Sequence, residues 1–187
     1  KGVQKSSLID YPGKISSIVF LSRCNFRCPY CHNPELIFHE EDFPDISEEE
    51  FFVFLNKQKK WIDGVCITGG EPSLHPGLID FMKKIKETGL LVKLDTNGTI
   101  PQIIEDSVKE KCVDFIAMDI KNSLDRYAET TNSKLNKVLL DNIEKSAELI
   151  MKYGDEKRKN KIDYEFRTTV LPKFHSKEDF EKIGKWL

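Results

Sequence analysis

The sequence has no long apolar run. Ile18–Leu21 and Phe51–Leu55 are hydrophobic, yet both fall far short of a bilayer span. It has no excess of one charge: 29 Lys and Arg face 31 Asp and Glu, for a net charge of −2. That balance gives no general pull toward nucleic acid or an anionic membrane. The opening residues, Lys-Gly-Val-Gln-Lys-Ser-Ser-Leu, contain no apolar signal-peptide core. No internal repeat or low-complexity segment stands out. These absences predict a soluble, reduced, cytoplasmic protein that forms one domain over residues 1–187, large enough for a full core. The chain starts at Lys rather than Met, which reads as trimming.

Cysteine is also scarce, with five in all, but three fall in one short stretch, Cys24-Asn-Phe-Arg-Cys28-Pro-Tyr-Cys31. A C-x₃-C-x₂-C run in a chain without secretory features points to iron–sulfur ligation. A cubane four-iron cluster normally takes four thiolates. Three leave one iron free to bind something else. Zinc held by the same cysteines and His32 is the competing reading, but zinc ligands usually come as two separated knuckles. A disulfide would leave an odd cysteine. Cys66, in an apolar run, and Cys112, at the end of a helical stretch, read as small buried hydrophobes.

Strand-like and helix-like segments alternate along the chain. Strands are predicted at 15–22, within 64–70, and at 90–95, 113–120 and 162–171. Helices are predicted from Ser47 to about Ile62, opened by a capping box with Glu50, and at 76–88, 101–111, 141–153 and 176–187. Repeated βα units imply parallel strands with right-handed crossovers, hence an α/β open sheet or partial barrel. In such folds the chemistry sits at the C-terminal strand ends. The unusual residues fall there. The cysteine loop follows the first strand, and Thr68-Gly69-Gly70-Glu71-Pro72 the second. Asp95-Thr96-Asn97-Gly98 and Asp119-Ile120-Lys121 end the next two. Arg167, Thr168 and Thr169 lie in the fifth.

Each position has a chemical reason. Gly69 and Gly70 lack a Cβ, so a ligand can approach the backbone. Glu71 can accept from a cationic amine. Asp95 and Asp119 on neighbouring strand ends repel unless a cation lies between them. Lys121 can pair with a carboxylate. Arg23 and Arg27 flank the cysteines and can offset thiolate charge.

These residues resemble the radical S-adenosylmethionine (SAM) enzymes. Within them, Ser-Leu-Ile-Asp-Tyr-Pro-Gly-Lys (7–14), Cys-Pro-Tyr-Cys-His-Asn-Pro-Glu-Leu (28–36), Leu-Asp-Thr-Asn-Gly (94–98), Ala-Met-Asp-Ile-Lys (117–121) and Asp-Tyr-Glu-Phe-Arg-Thr-Thr-Val (163–170) resemble activating enzymes of glycyl radical proteins. The nearest subgroup is the anaerobic ribonucleoside-triphosphate reductase activating proteins, with pyruvate formate-lyase activating enzyme a near relative. The resemblance implies a partial (βα) barrel of five or six βα units. It implies a 4Fe-4S cluster on Cys24, Cys28 and Cys31, whose open iron chelates S-adenosylmethionine. Reductive cleavage would then give methionine and a 5′-deoxyadenosyl radical that takes hydrogen from a glycine Cα of a partner protein. The cofactors carry the difficult chemistry, and no catalytic acid or base is required. Tyr30 matches the position whose neighbourhood contacts the adenine. Gly69, Gly70 and Glu71 match the segment that meets the methionine amine. Asp95, Thr96 and Asp119 match residues that hold a monovalent cation near the methionine carboxylate, where the residues matching Lys121 and Arg167 also reach.

The resemblance also implies a glycyl radical protein as substrate and a flavodoxin or ferredoxin-type reductant. Activation of a pyruvate formate-lyase-like protein, or small-molecule chemistry of the 7-carboxy-7-deazaguanine synthase type, is the alternative. No cysteine lies between Cys31 and Cys66, so one cluster is expected. The sixth strand of pyruvate formate-lyase activating enzyme has no counterpart, which implies a shorter barrel or a C-terminal segment cut from the sequence. His32 is expected near the cluster without ligating it. His39, His75 and His175 are expected to be solvated, as is the charged run 155–161. The long connection 122–140 is the candidate partner contact.

Overall fold

The computed structural model describes residues 1–159 and 161–187. Its centre is a six-stranded sheet, with strands in sequence order across it. The strands are β1 (Gly2–Ser7), β2 (Ser16–Leu21), β3 (Gly64–Gly69), β4 (Leu91–Thr96), β5 (Phe115–Asp119) and β6 (Asp163–Arg167). β2 through β6 pair in parallel, as a chain of right-handed βα units requires. β1 pairs antiparallel to β2 and covers that edge. The five predicted parallel strands are therefore present, each within a few residues of its predicted bounds. β1 was not predicted, because Lys-Gly-Val-Gln-Lys-Ser-Ser is polar and lacks an alternating pattern, as suits an exposed edge. β6 ends at Arg167, four residues sooner than the apolar pattern suggested.

The helices lie against the convex side: α1 (Glu35–Phe38), α2 (Glu48–Gln58), α3 (Leu78–Glu87), α4 (Pro101–Lys109), α5 (Tyr127–Thr131), α6 (Lys137–Gly154) and α7 (Lys177–Trp186). Ser47 and Ser176 form capping boxes with Glu50 and Asp179. α6 starts a turn before the predicted Asp141, because Asn136 caps it through the Leu139 N–H. α1 and α5 are too short to leave a periodic signature.

The core lies between sheet and helices. Val65, Ile67, Val92, Leu94, Ile116 and Met118 from the strands meet Leu55, Met82, Ile85, Ile104, Ile143 and Ile150 from the helices. Cys112 is buried in it, and Cys66 is buried on the other face of β3, where Lys93 Nζ lies 3.9 Å from its sulfur, so both are buried as predicted. Tyr11 lies edge-on against Phe115 at 5.7 Å in a second, small apolar cluster with Ala117. Asn160 lies outside the described residues, so the predicted solvated run 155–161 is described only in part; its other residues are exposed, and Lys161 pairs with Glu156.

Candidate active site

The cysteine loop leaves β2 at Leu21 and is fastened almost wholly by backbone. The Gly70 N–H donates to Leu21 O at 2.8 Å and the Glu71 N–H to Arg23 O at 2.7 Å. These two bonds press the loop against the end of β3. A Cβ on Gly69 would meet Leu21 O at 2.2 Å, and one on Gly70 would meet Arg23 O at 1.9 Å. Gly69 also has φ +120°, a conformation that side chains resist. The glycine pair is therefore needed for close approach, as predicted, but the group that approaches is the cysteine loop itself. Arg23 turns the chain with φ +66° and donates to Glu40. Arg27 donates to Cys24 O at 2.6 Å and Phe26 O at 2.8 Å. Both arginines were expected to offset thiolate charge, but each is committed to a loop partner.

The loop is also tied across to β4. Asn97 Nδ2 donates to Asn25 Oδ1 at 2.8 Å and lies 4.0 Å from Cys24 Sγ, while Asn25 Nδ2 donates to Thr99 Oγ1 at 2.9 Å. Beneath this sits Glu71, 1% exposed. Its Oε1 accepts from Ser73 N, Ser73 Oγ and Thr96 Oγ1, and its Oε2 from Asn97 N. Glu71 was predicted to meet an amine, yet both its oxygens hold protein donors and lock the β3 and β4 ends together. Burial pushes its carboxyl above the ordinary carboxylate range, and the four donors offset only part of that. Ser73, which completes this network, was not singled out in the sequence, and Asn97 was noted at its strand end without a role because Asn-Gly reads as a simple turn.

The facing wall is charged. Arg167 Nε donates to Asp119 Oδ1 at 3.1 Å, and Arg167 Nη1 lies 3.3 Å from Asp95 Oδ2. Lys121 Nζ pairs with Asp119 Oδ2 at 2.9 Å. Lys93, 1% exposed in its side chain, pairs with Asp95 and lies 3.9 Å from Glu165. Positive and negative groups thus alternate: Glu165, Lys93, Asp95, Arg167, Asp119, Lys121. The cation predicted between Asp95 and Asp119 is, in this structure, the Arg167 guanidinium. Burial alone would raise the Asp119 carboxyl, but Lys121 and Arg167 hold it below its ordinary value. Burial alone would lower the Lys121 ammonium, but Asp119 and the cysteines hold it above. Lys93 was missed in the sequence, where a lysine among apolar strand residues gives no signal of an inward ion pair.

One cleft joins these two sides. Cys24, Cys28, Tyr30, Cys31, Gly69, Gly70, Glu71, Asp95, Thr96, Asp119 and Lys121 all line it. Arg167 stands behind the wall rather than in it, and Thr169, one turn of chain beyond β6, takes the place in the lining. Phe26 and Ile37 supply apolar surface, and His32 lies at the rim, exposed. His75 and His175 are not solvated as predicted. His75 bonds Ser22 O at 2.8 Å, and His175, 8% exposed, bonds Lys121 O at 2.8 Å and fixes the end of β5. The start of the predicted partner-contact segment is likewise buried, at Asn122, Ser123, Tyr127, Thr130 and Thr131, and Thr131 O accepts from the Arg27 N–H of the cysteine loop at 3.0 Å.

The sequence profile of the "Radical SAM superfamily" matches residues 18–187. The chain belongs to this family. A Methanocaldococcus jannaschii protein, provisionally named a glycyl-radical enzyme activating enzyme, is 36% identical over 98% of the chain and 73% of its own length. Pyruvate formate-lyase-activating enzyme of Clostridium pasteurianum is 34% identical over 64% of the chain, which spans 51% of that protein. Streptococcus suis SuiB, solved with its precursor peptide SuiA, superposes with a TM-score of 0.62 at 14% identity, over 90% of the chain and 35% of that structure. That likeness concerns the fold.

Radical SAM chemistry uses a 4Fe-4S cluster and S-adenosylmethionine, and the residues present fit both. Three thiols line one side of the cleft, and among the described residues no three His, Cys, Asp or Glu side chains gather around a single-ion position. Three thiols from one short loop suit a 4Fe-4S cluster, which cysteine thiolates hold. The Tyr30 hydroxyl is buried beside the cysteines with no hydrogen-bond partner. Burial pushes the Cys24 thiol up to about 11, against a weak pull from the Phe26 N–H, and raises Cys28 as well. Thiols held protonated in this way must release protons on binding iron.

Proposed function

We propose that the chain is a radical SAM activase that places a glycyl radical on a partner enzyme, first of all an anaerobic ribonucleoside-triphosphate reductase. The observation that carries this reading is an open cleft with three thiols on one side and an ion-paired wall on the other, in a chain 36% identical to the M. jannaschii relative. When bound, the cluster and S-adenosylmethionine supply the one-electron chemistry. The chain's own residues bind, orient and exclude water. Cys24, Cys28 and Cys31 hold the cluster. Gly69 and Gly70 would meet the methionine amine, and an ammonium arriving there would favour the charged form of Glu71. Lys121 has a second side free for the methionine carboxylate, and Asp95, Asp119 and Arg167 keep that lysine in place. Tyr30 and Phe26 offer ring surface to the adenine. A protein glycine reaches the site through the mouth, beside the exposed stretch 132–138 that remains of the predicted contact segment. A flavodoxin or ferredoxin-type protein supplies the electron.

The test is anaerobic activation. Reconstituted, reduced protein is mixed with S-adenosylmethionine and a candidate reductase. A doublet in the electron paramagnetic resonance spectrum, lost when the partner's radical-site glycine becomes alanine, is expected. A doublet on a pyruvate formate-lyase-like protein instead would reassign the partner. Turnover of a small molecule with no protein radical would overturn the activase reading.

A further inference from the structure

Tyr30 is the one side chain of the cleft whose polar atom is fully buried and unpaired among the described residues. A buried hydroxyl without a partner costs about 1–3 kcal/mol, so folded chains rarely leave one. Its neighbour Tyr127 shows the usual solution: that hydroxyl accepts from Lys121 N and donates to Asp119 O. Tyr30 cannot turn away to water, because its ring leans on Phe174 with centroids 5.9 Å apart. It sits between Cys28 and Cys31 in the loop, all three line the same cleft, and burial together with the nearby Cys28 thiol holds its hydroxyl above the ordinary tyrosine value. A neutral thiol is a weak acceptor, whereas a metal-bound thiolate is a good one.

We propose that the Tyr30 hydroxyl donates a hydrogen bond to the Cys28 sulfur once that sulfur ligates the cluster, and that this bond helps set the cluster's reduction potential. This rests on the reading of the three cysteines as cluster ligands. Donors to ligand sulfurs are among the levers that set such potentials. The reduced cluster carries one more negative charge, so a donated proton stabilises it more than the oxidised one. Losing the donor makes the cluster harder to reduce. Lys121, already a charge partner of the cysteines, acts in the same direction from the wall side.

The experiment uses the reconstituted holoprotein and its Tyr30→Phe variant, which keeps the ring and removes only the hydroxyl. Iron and sulfide content should match the wild type. The midpoint potential, read by redox titration with electron paramagnetic resonance detection, should move negative. One neutral hydrogen bond corresponds to about fivefold in the reduction equilibrium, and at ~59 mV per tenfold for a one-electron couple this is roughly 40 mV. Pulsed spectra of the reduced wild type should show a deuterium-exchangeable proton coupled to the cluster, absent from the variant. Phe174→Leu, which disturbs the ring contact but keeps the hydroxyl, should leave the exchangeable proton in place. An unchanged potential in a fully loaded Tyr30→Phe protein would overturn the inference. So would a wild type without that proton, or a shift seen only with S-adenosylmethionine bound. A wild type that takes up no cluster would instead defeat the parent reading.

Discussion

The two sides of the cleft are built by different physics. The cysteine side is held by main chain. Two backbone hydrogen bonds and two missing Cβ atoms press the loop onto β3, and burial disfavours charge on the Cys24 and Cys28 thiols. The wall opposite is held by side chains, in a row of alternating ion pairs that includes the inward-facing Lys93. The first arrangement has no slack, because a carbonyl oxygen cannot move aside for a methyl group. The second can lose a member and keep its backbone. The cleft is therefore rigid on its cysteine side and electrostatically tuned on the wall, which suits the proposed placement of a cluster on the first and a charged cofactor against the second.

The largest expected effect falls on the cysteine side. Gly70→Ala places a methyl 1.9 Å from Arg23 O, so the loop must lift from β3. A loss of about 3 kcal/mol in urea unfolding, together with failure to load the cluster, is expected. A variant that loads normally would show that the loop has slack after all.

On the wall, Arg167→Met leaves Asp95 and Asp119 facing each other with Lys93 and Lys121 as their remaining partners. The fold should survive, since Arg167 lies at the strand end and is 37% exposed. Charge-assisted contacts are worth about 1.5–3 kcal/mol, so S-adenosylmethionine affinity should fall by roughly tenfold or more, measured by calorimetry on loaded protein. Cluster content should not change. Loss of the cluster in this variant would collapse the distinction between the two sides.

A pH titration sharpens the same contrast. In the unfolded chain a thiol ionises near ~8.5, whereas burial holds folded Cys24 to about 11. The folded pKa is the higher, so its contribution to stability is complete below the unfolded value and disappears as pH rises toward the folded one. The apoprotein should lose thermal stability between those limits. The loaded protein should not show this loss, because its ligating cysteines are already thiolates. Parallel pH curves for the two forms would mean that Cys24 is not a ligand.

The smallest effect belongs to the cysteines outside the site. Cys112→Ser keeps a donor to Ser107 O and should be nearly neutral. Cys66→Ser buries a hydroxyl in the sheet and should cost about 1 kcal/mol. Both should retain full iron and sulfide content by chemical analysis.

Much of this was readable along the chain. The parallel strands β2 to β5 appear as largely apolar runs because both of their faces are covered, and the polar clusters announce themselves by following those runs. The edge strand β1 was hidden by its polarity, and the short α1 and α5 by their length. The spacing of Cys24, Cys28 and Cys31 by itself pointed to iron–sulfur ligation, since thiolate chemistry depends on residue type and local reach. What the neighbouring groups do was decided by tertiary structure alone. Gly69 and Gly70 accommodate the cysteine loop, Glu71 braces two strand ends, Arg167 fills the gap between two aspartates, and Lys93 turns inward to join them. Each of these depends on groups tens of residues apart in the chain, and charge compensation and steric contact act through space, where sequence separation carries no information.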